Sequence, residues 1–179
     1  LASDNTGTGI EVGGALVAID VTGSHNQQNG VYISGSADLD SLEVWANGGL
    51  GLGASGGTFL EIDAVANEGT GISISGGAVI MNRINAQRNG AMGLALQNTG
   101  THRINDAWFR RNGSHGLQIQ DSISPAEAAP SQDIVSDYNG GAGIWLSGAG
   151  QLSAQALTLR HNDMAGLFGA NADAQPCTL

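Results

Sequence analysis

Short stretches in which apolar residues occupy every second position return along this chain about every 22 residues. The residues five and three positions before each repeated asparagine are mostly apolar, such as Leu42 and Val44 before Asn47. This alternation is typical of short β-strands with one buried face. No stretch shows the period of an amphipathic helix. The pattern predicts an all-β protein with at least two strands in each repeat.

Two anchor residues define the repeat: an asparagine, and a glycine four residues later that an aliphatic residue follows. Successive asparagines lie 21, 21, 20, 22, 23, 27 and 23 residues apart. Retention of both anchors in eight copies indicates an internal repeat. The eight asparagines are Asn5, Asn26, Asn47, Asn67, Asn89, Asn112, Asn139 and Asn162.

A unit of this size cannot bury its apolar face alone, so we expect the copies to stack, with equivalent strands pairing in parallel. Each coil then rises about 4.8 Å, and parallel connections favour a right-handed path. The sequence therefore predicts one right-handed parallel β-helix, a β-solenoid of about eight coils, as a single domain over residues 1–169.

The repeat also closely resembles that of the right-handed parallel β-helix proteins of the pectin-lyase-like superfamily. Their Asn-Gly-x-x-Gly-Ile/Leu unit appears at residues 89–94 and 139–144. The resemblance covers residues 5–169 and implies the fold. It selects no single function, because lyases, hydrolases, epimerases, phage spikes and adhesins share such repeats.

The asparagine column is interpreted as structural. A side-chain amide stacked one coil above another can donate to it, so we expect an inward, nearly buried asparagine ladder. The glycine column indicates either a left-handed backbone or a position with no room for Cβ. Because the same residues recur in every coil, none of them is assigned a catalytic role.

One long interval and one end interrupt the regular pattern. The 27 residues from Asn112 to Asn139 contain two of the three prolines, which predicts an insertion loop at residues 121–132. Residues 170–179 are polar and small, and are predicted to be a C-terminal tail. That tail carries Cys177, the only cysteine, so no disulfide can form within the chain.

Charge and hydropathy exclude two classes of partner. The net charge is −10 and lysine is absent, which excludes a general nucleic-acid surface. No apolar run approaches the ~20 residues of a membrane span. We therefore expect no binding of nucleic acid and no insertion into a membrane. The module itself is expected to be secreted or at the cell surface.

Four of the six arginines gather one or two positions before successive asparagines, together with a tyrosine and a histidine. We call these six residues the arginine strip: Arg88, Arg110, Arg111, Tyr138, Arg160 and His161. Stacked arginines repel one another unless Asp137 neutralises them or an anionic ligand supplies the charge. The leading hypothesis is recognition of an acidic polysaccharide, and the alternative is a set of solvated arginines without a ligand.

Acidic residues on outward positions suggest a second hypothesis. Glu43, Glu61 and Asp63 would come within reach of one calcium ion, the only cofactor considered. The alternative is a ladder of salt bridges through Glu61, Arg83 and Asp106.

Two aromatic residues, Trp145 and Phe168, occupy outward positions in successive coils near the C-terminal end. Because open solenoid ends need a cap, we expect a cap or a neighbouring domain at one end, and Trp145 and Phe168 are interpreted as part of that contact.

Catalytic activity finds no support in the sequence. The resemblance brings known motifs for comparison, and the Asn-Thr-Asp, Asp-Asp, Gly-His-Gly and Arg-Ile-Lys motifs of polygalacturonase-type hydrolases are absent. The Tyr-Gly-Phe-Asp-Pro-His signature of alginate epimerases is absent as well. Two alternatives to a recognition module therefore remain: a structural stalk or adhesin segment, and a fragment of a polysaccharide lyase or epimerase.

Overall fold

The computed structural model describes residues 1–98, 100–121 and 130–169, which form two parallel β-sheets of eight strands each. In this part of the chain there is no helix whose length and apolar character would carry it across a membrane. The first sheet consists of the odd-numbered strands: β1 (Ala2–Ser3), β3 (Leu16–Ser24), β5 (Ala37–Trp45), β7 (Gly57–Val65), β9 (Val79–Gln87), β11 (His102–Arg110), β13 (Ser131–Asp137) and β15 (Ala154–Arg160). The second consists of the even-numbered strands: β2 (Ile10–Val12), β4 (Val31–Ile33), β6 (Leu52–Ala54), β8 (Ile72–Ser75), β10 (Leu94–Gln97), β12 (Leu117–Gln120), β14 (Ile144–Ser147) and β16 (Leu167–Gly169).

Each strand pairs with its equivalent one coil away, as the repeat predicts. Leu42 lies beside Ile62, and Ile62 lies beside Ile84, so identical repeat positions stack along the axis. The result is a right-handed parallel β-solenoid, and the predicted fold class is confirmed. Below, coils are numbered 1 to 8 by their repeated asparagine, from Asn5 to Asn162.

The core runs along the inside of the solenoid. The positions five and three residues before each asparagine point inward, and Ile62, Ile84 and Phe109 are almost fully buried there. The even-numbered strands contribute the opposite wall, with Ile72 and Leu94 completely buried. Burial of this stacked apolar column is the main stabilising contribution, at about 1.5–3 kcal/mol for each large side chain.

The long odd-numbered strands bend at a residue that the sequence did not reveal. Six positions before each asparagine of coils 2 to 8, the backbone is left-handed, with φ between 50° and 59°. The residues are Asp20, Ser41, Glu61, Arg83, Asp106, Asp133 and Ala156. These side chains therefore sit at a bend in each strand.

The predicted insertion loop at 121–132 ends earlier than expected, because Ser131 and Gln132 belong to β13. Ser131 N donates to the Ser153 carbonyl at 2.9 Å, and its hydroxyl accepts from Ile104 N at 3.0 Å. Both bonds fix the chain to neighbouring coils. Residues 122–129 of this loop, and the predicted tail 170–179 with Cys177, lie outside the described residues.

One histidine interrupts the apolar core at the start of β11. His102 pairs in register with Val79 and is only 3 % exposed. Burial lowers the pKa of His102 to about 4, and a contact with the Gln151 backbone opposes this shift weakly. The neutral ring is therefore the form that the folded protein favours.

We expect the protein to lose stability as the pH falls from about 6.5 to about 4. The unfolded chain binds a proton on His102 near pH 6.5, whereas the folded chain resists it until about pH 4. His102→Val, which copies the Val79 side chain of the preceding coil, should flatten this part of the pH profile. Urea unfolding at several pH values measures it, and equal slopes for both proteins would contradict the assignment.

Candidate functional site

The asparagine ladder is complete and saturated with hydrogen bonds. In all seven steps the asparagine Nδ2 donates to the Oδ1 of the next asparagine, at 2.8–3.0 Å. The other amide hydrogen goes to a backbone carbonyl of the preceding coil, as from Asn89 to Ala64 at 3.0 Å. The six inner members are buried, whereas Asn5 and Asn162, which a described coil covers on one side only, are more exposed. With every amide engaged internally, the inner ladder has a structural role.

The glycine column is explained by crowding. A Cβ on Gly71 would lie 2.6 Å from Asn89 Nδ2 and 2.8 Å from the Gly93 carbonyl oxygen. The backbone at this position is not left-handed. Of the two expectations, the lack of room for Cβ is therefore confirmed, and the left-handed backbone is wrong.

The residue immediately before each asparagine is the one that adopts the left-handed conformation, with φ between 52° and 59°. This turn places its side chain on the outer corner of the solenoid, directly before the inward asparagine. Along this corner stand Asp4, His25, Ala46, Ala66, Arg88, Arg111, Tyr138 and His161, one from each coil. The four from coils 5 to 8 belong to the arginine strip and are exposed, and we call them the outer row: Arg88, Arg111, Tyr138 and His161.

Asp137 forms ion pairs with only two of the four arginines in the arginine strip. Its side chain is almost completely buried, and its Oδ1 lies 3.0 Å from Arg110 Nε while its Oδ2 lies 3.4 Å from Arg160 Nε. From the sequence, Asp137 was one candidate to neutralise the stacked Arg88 and Arg111. It instead forms ion pairs with Arg110 and Arg160, which share its position in the repeat and flank it along the sheet.

The two arginines of the outer row keep their positive charge. Within residues 1–98, 100–121 and 130–169, neither Arg88 nor Arg111 forms an ion pair. The Arg111 guanidinium carbon lies 6.0 Å from the centre of the Tyr138 ring, within the range of a cation–π contact. The Tyr138 and His161 rings stack, with centroids 4.7 Å apart and planes inclined by 11°. Tyr138 thus lies between Arg111 and His161 and supports both.

Two of the three carboxylates of the calcium hypothesis are held by other side chains. Glu61 forms an ion pair with Arg83, and Asp63 accepts a hydrogen bond from Asn85 Nδ2 at 2.7 Å. In the described part of the chain, no group of three His, Cys, Asp or Glu side chains is arranged to hold a metal ion. The geometry gives the calcium hypothesis no support. Of the alternative salt ladder, the Glu61–Arg83 step forms, and no ion pair of the described residues includes Asp106.

Glu43 and Asp63 instead border a shallow surface depression of about 280 Å³. Its remaining lining residues are Trp45, Val65 and Ala66, and we call these five residues the acidic depression. Trp45 is 40 % exposed, and the His25 ring contacts it edge-on with centroids 4.2 Å apart. This depression was not predicted from the sequence, although the apolar residues Trp45 and Val65 at outward positions were an available signal.

Three aromatic side chains on or beside the second sheet form a line across coils 6 to 8. Trp145 and Phe168 are adjacent as expected, with ring centroids 5.3 Å apart. His115 contacts Trp145 on the other side at 4.1 Å, and its Nδ1 accepts from Ala142 N at 2.9 Å. Burial lowers the pKa of His115, which favours the neutral ring that can accept this hydrogen bond. His115 therefore fixes the loop of the next coil.

The fold and its ladder define a parallel β-solenoid module, and comparison with known families agrees. The family model described as "Right handed beta helix region" matches residues 8–164. The chain therefore belongs to the right-handed β-helix family. A search of curated proteins found no match, and neither did a search of solved structures.

Proposed function

We propose that this β-helix module is a secreted or cell-surface protein that recognises an acidic polysaccharide through Arg88 and Arg111. The observation that supports this proposal is that two arginines on adjacent coils are exposed and carry no ion pair with any described residue, in a protein of net charge −10. Arg83 forms an ion pair with Glu61, and Arg110 and Arg160 share Asp137. Arg103 also has no ion pair with a described residue, but it is half-buried in β11. Arg88 and Arg111 are thus the exposed arginines that an external anion can reach without displacing an internal carboxylate.

The spacing of the two arginines suits a linear polymer. Adjacent coils are about 4.8 Å apart, which is close to the length of one sugar residue in an extended chain. A polyuronate lying along the solenoid axis would present carboxylates at about this interval. Each guanidinium can hold a carboxylate or sulfate group through two parallel hydrogen bonds.

The aromatic residues of the outer row contribute rigidity to the binding surface. Tyr138 packs against Arg111 on one side and His161 on the other, so its ring has little free face for a sugar. Its role in the proposal is to hold Arg111 in an extended, outward position. Fewer side-chain conformations are then lost when the ligand binds.

We expect wild-type protein to bind oligogalacturonate, oligoalginate or a sulfated oligosaccharide at low ionic strength, and to lose that binding at high salt. Arg88→Ala/Arg111→Ala should weaken the affinity at least tenfold, because both charge-assisted contacts disappear. Isothermal titration calorimetry measures both effects.

The matched control is Arg83→Ala/Arg103→Ala, which removes the same charge from positions outside the arginine strip and should bind as the wild type does. Equal affinity of the Arg88→Ala/Arg111→Ala variant and the wild type would refute the role of these arginines. Absence of heat with all three ligands would leave the structural stalk or adhesin segment as the better account.

A further inference from the structure

Charged side chains on and beside the outer corner have opposite signs on coils 3 and 4 and on coils 5 and 6. Glu43 and Asp63 lie on coils 3 and 4, and they border the acidic depression around Trp45. Arg88 and Arg111 lie on coils 5 and 6, exposed and without an ion pair to any described residue. The two acids are neighbours in register, so they are separated by one coil, as the two arginines are.

We propose that this corner is a docking surface for a second copy of the same chain, arranged antiparallel to the first. A two-fold axis perpendicular to the solenoid, between coils 4 and 5, exchanges coil 3 with coil 6 and coil 4 with coil 5. It places Arg111 of one copy opposite coil 3 of the other, which carries Glu43. It also places Arg88 opposite coil 4, which carries Asp63. Both contacts occur twice, as an isologous interface requires.

The acidic depression offers each arginine an apolar as well as a charged contact. Trp45 is 40 % exposed beside Val65 and Ala66, a wall on which a guanidinium can stack while it reaches a carboxylate. The small side chains of Ala46 and Ala66 occupy the corner positions of coils 3 and 4. Long arginines on coils 5 and 6 therefore meet short residues on the opposing copy, and the two surfaces are complementary in shape as well as in charge.

This inference goes beyond the polysaccharide proposal and does not depend on it. Both proposals use Arg88 and Arg111, so an acidic oligosaccharide and a second copy would compete for them. The acidic depression belongs to the dimer alone. Substitutions in it therefore separate the two proposals.

Sedimentation velocity at low ionic strength, over a range of protein concentrations, tests the dimer. We expect a salt-sensitive monomer–dimer equilibrium for the wild type. Glu43→Arg/Asp63→Arg and Arg88→Glu/Arg111→Glu should each be monomeric, because like charges then face each other. A mixture of the two variants should restore a heterodimer, because each then meets the opposite charge. Circular dichroism and thermal melting confirm that each variant is folded.

The control is Glu11→Arg/Asp38→Arg, which changes the net charge as Glu43→Arg/Asp63→Arg does. Both positions are exposed and lie away from the corner and the acidic depression, so this variant should dimerise at least as well as the wild type. A monomeric wild type at every concentration, or no heterodimer in the mixture, would overturn the proposal. Glu43→Gln/Asp63→Asn keeps both arginines, so its binding of the acidic oligosaccharide tests the proposed function separately.

Discussion

Asn89→Ala should lower the free energy of unfolding by about 3–5 kcal/mol, since each buried polar group left without a partner costs about 1–3 kcal/mol. Asn89 Oδ1 accepts from both the backbone and the side-chain nitrogen of Asn67, at 3.1 and 3.0 Å. Its Nδ2 donates to Asn112 Oδ1 and to the Ala64 carbonyl, both at 3.0 Å. Alanine would remove four hydrogen bonds in a central coil where water cannot replace them. Chemical denaturation monitored by circular dichroism measures the loss.

Asn85→Ala provides the control for this experiment in the same coil. Asn85 points outward and donates one exposed hydrogen bond, to Asp63 at 2.7 Å, so we expect a loss below about 1 kcal/mol. Equal destabilisation by Asn85→Ala and Asn89→Ala would show that the ladder gives no special stability. Asn5→Ala should have an intermediate effect, because the Asn5 side chain donates a single bond of the ladder.

Gly93→Ala should be destabilising by about 3 kcal/mol, because the added methyl group has no space in a well-packed interior. Its Cβ would lie 2.6 Å from the Gly116 carbonyl oxygen and 2.8 Å from Asn112 Nδ2. Both atoms are fixed by hydrogen bonds between coils, so neither can move without breaking the stack. Thermal unfolding of the purified variant measures the effect.

Gly13→Ala serves as the matched glycine control. A Cβ on Gly13 meets no atom within 4 Å, and the residue does not have a left-handed backbone. Alanine there should leave stability unchanged or raise it by about 0.4–1 kcal/mol, because it restricts the unfolded chain. If both variants melted at the wild-type temperature, crowding would not be the reason for the glycine column.

The fold was predictable because two of its strongest structural constraints each require one particular amino acid. Only asparagine can both donate to and accept from its equivalents while accepting a backbone N–H of the preceding coil. Only glycine fits beside that amide. Both constraints recur in every coil, so the repeat is visible in the sequence. The bend six residues before each asparagine was not visible, because residues as different as Ser41, Arg83 and Ala156 occupy it with outward side chains.

The candidate site was only partly predictable, because it depends on side-chain partners. The sequence placed Arg110 and Arg111 together in the arginine strip. The structure separates them, since Arg110 lies along the strand beside Asp137 while Arg111 turns outward at the corner. The acidic depression was missed because the sequence analysis grouped Glu43 and Asp63 with Glu61 as metal ligands and left out Trp45, which lies beside them.

The central claim is that Arg88 and Arg111 contact the acidic polysaccharide, and arginine side-chain NMR tests it most directly. The chain has six arginines and no lysine, so its Nε–Hε resonances are few and can be assigned by single substitutions. On titration with oligogalacturonate or a sulfated oligosaccharide at low salt, the account predicts the largest shifts for Arg88 and Arg111 and small shifts for Arg83 and Arg103. No shift at Arg88 and Arg111, or equal shifts at all six arginines, would contradict it.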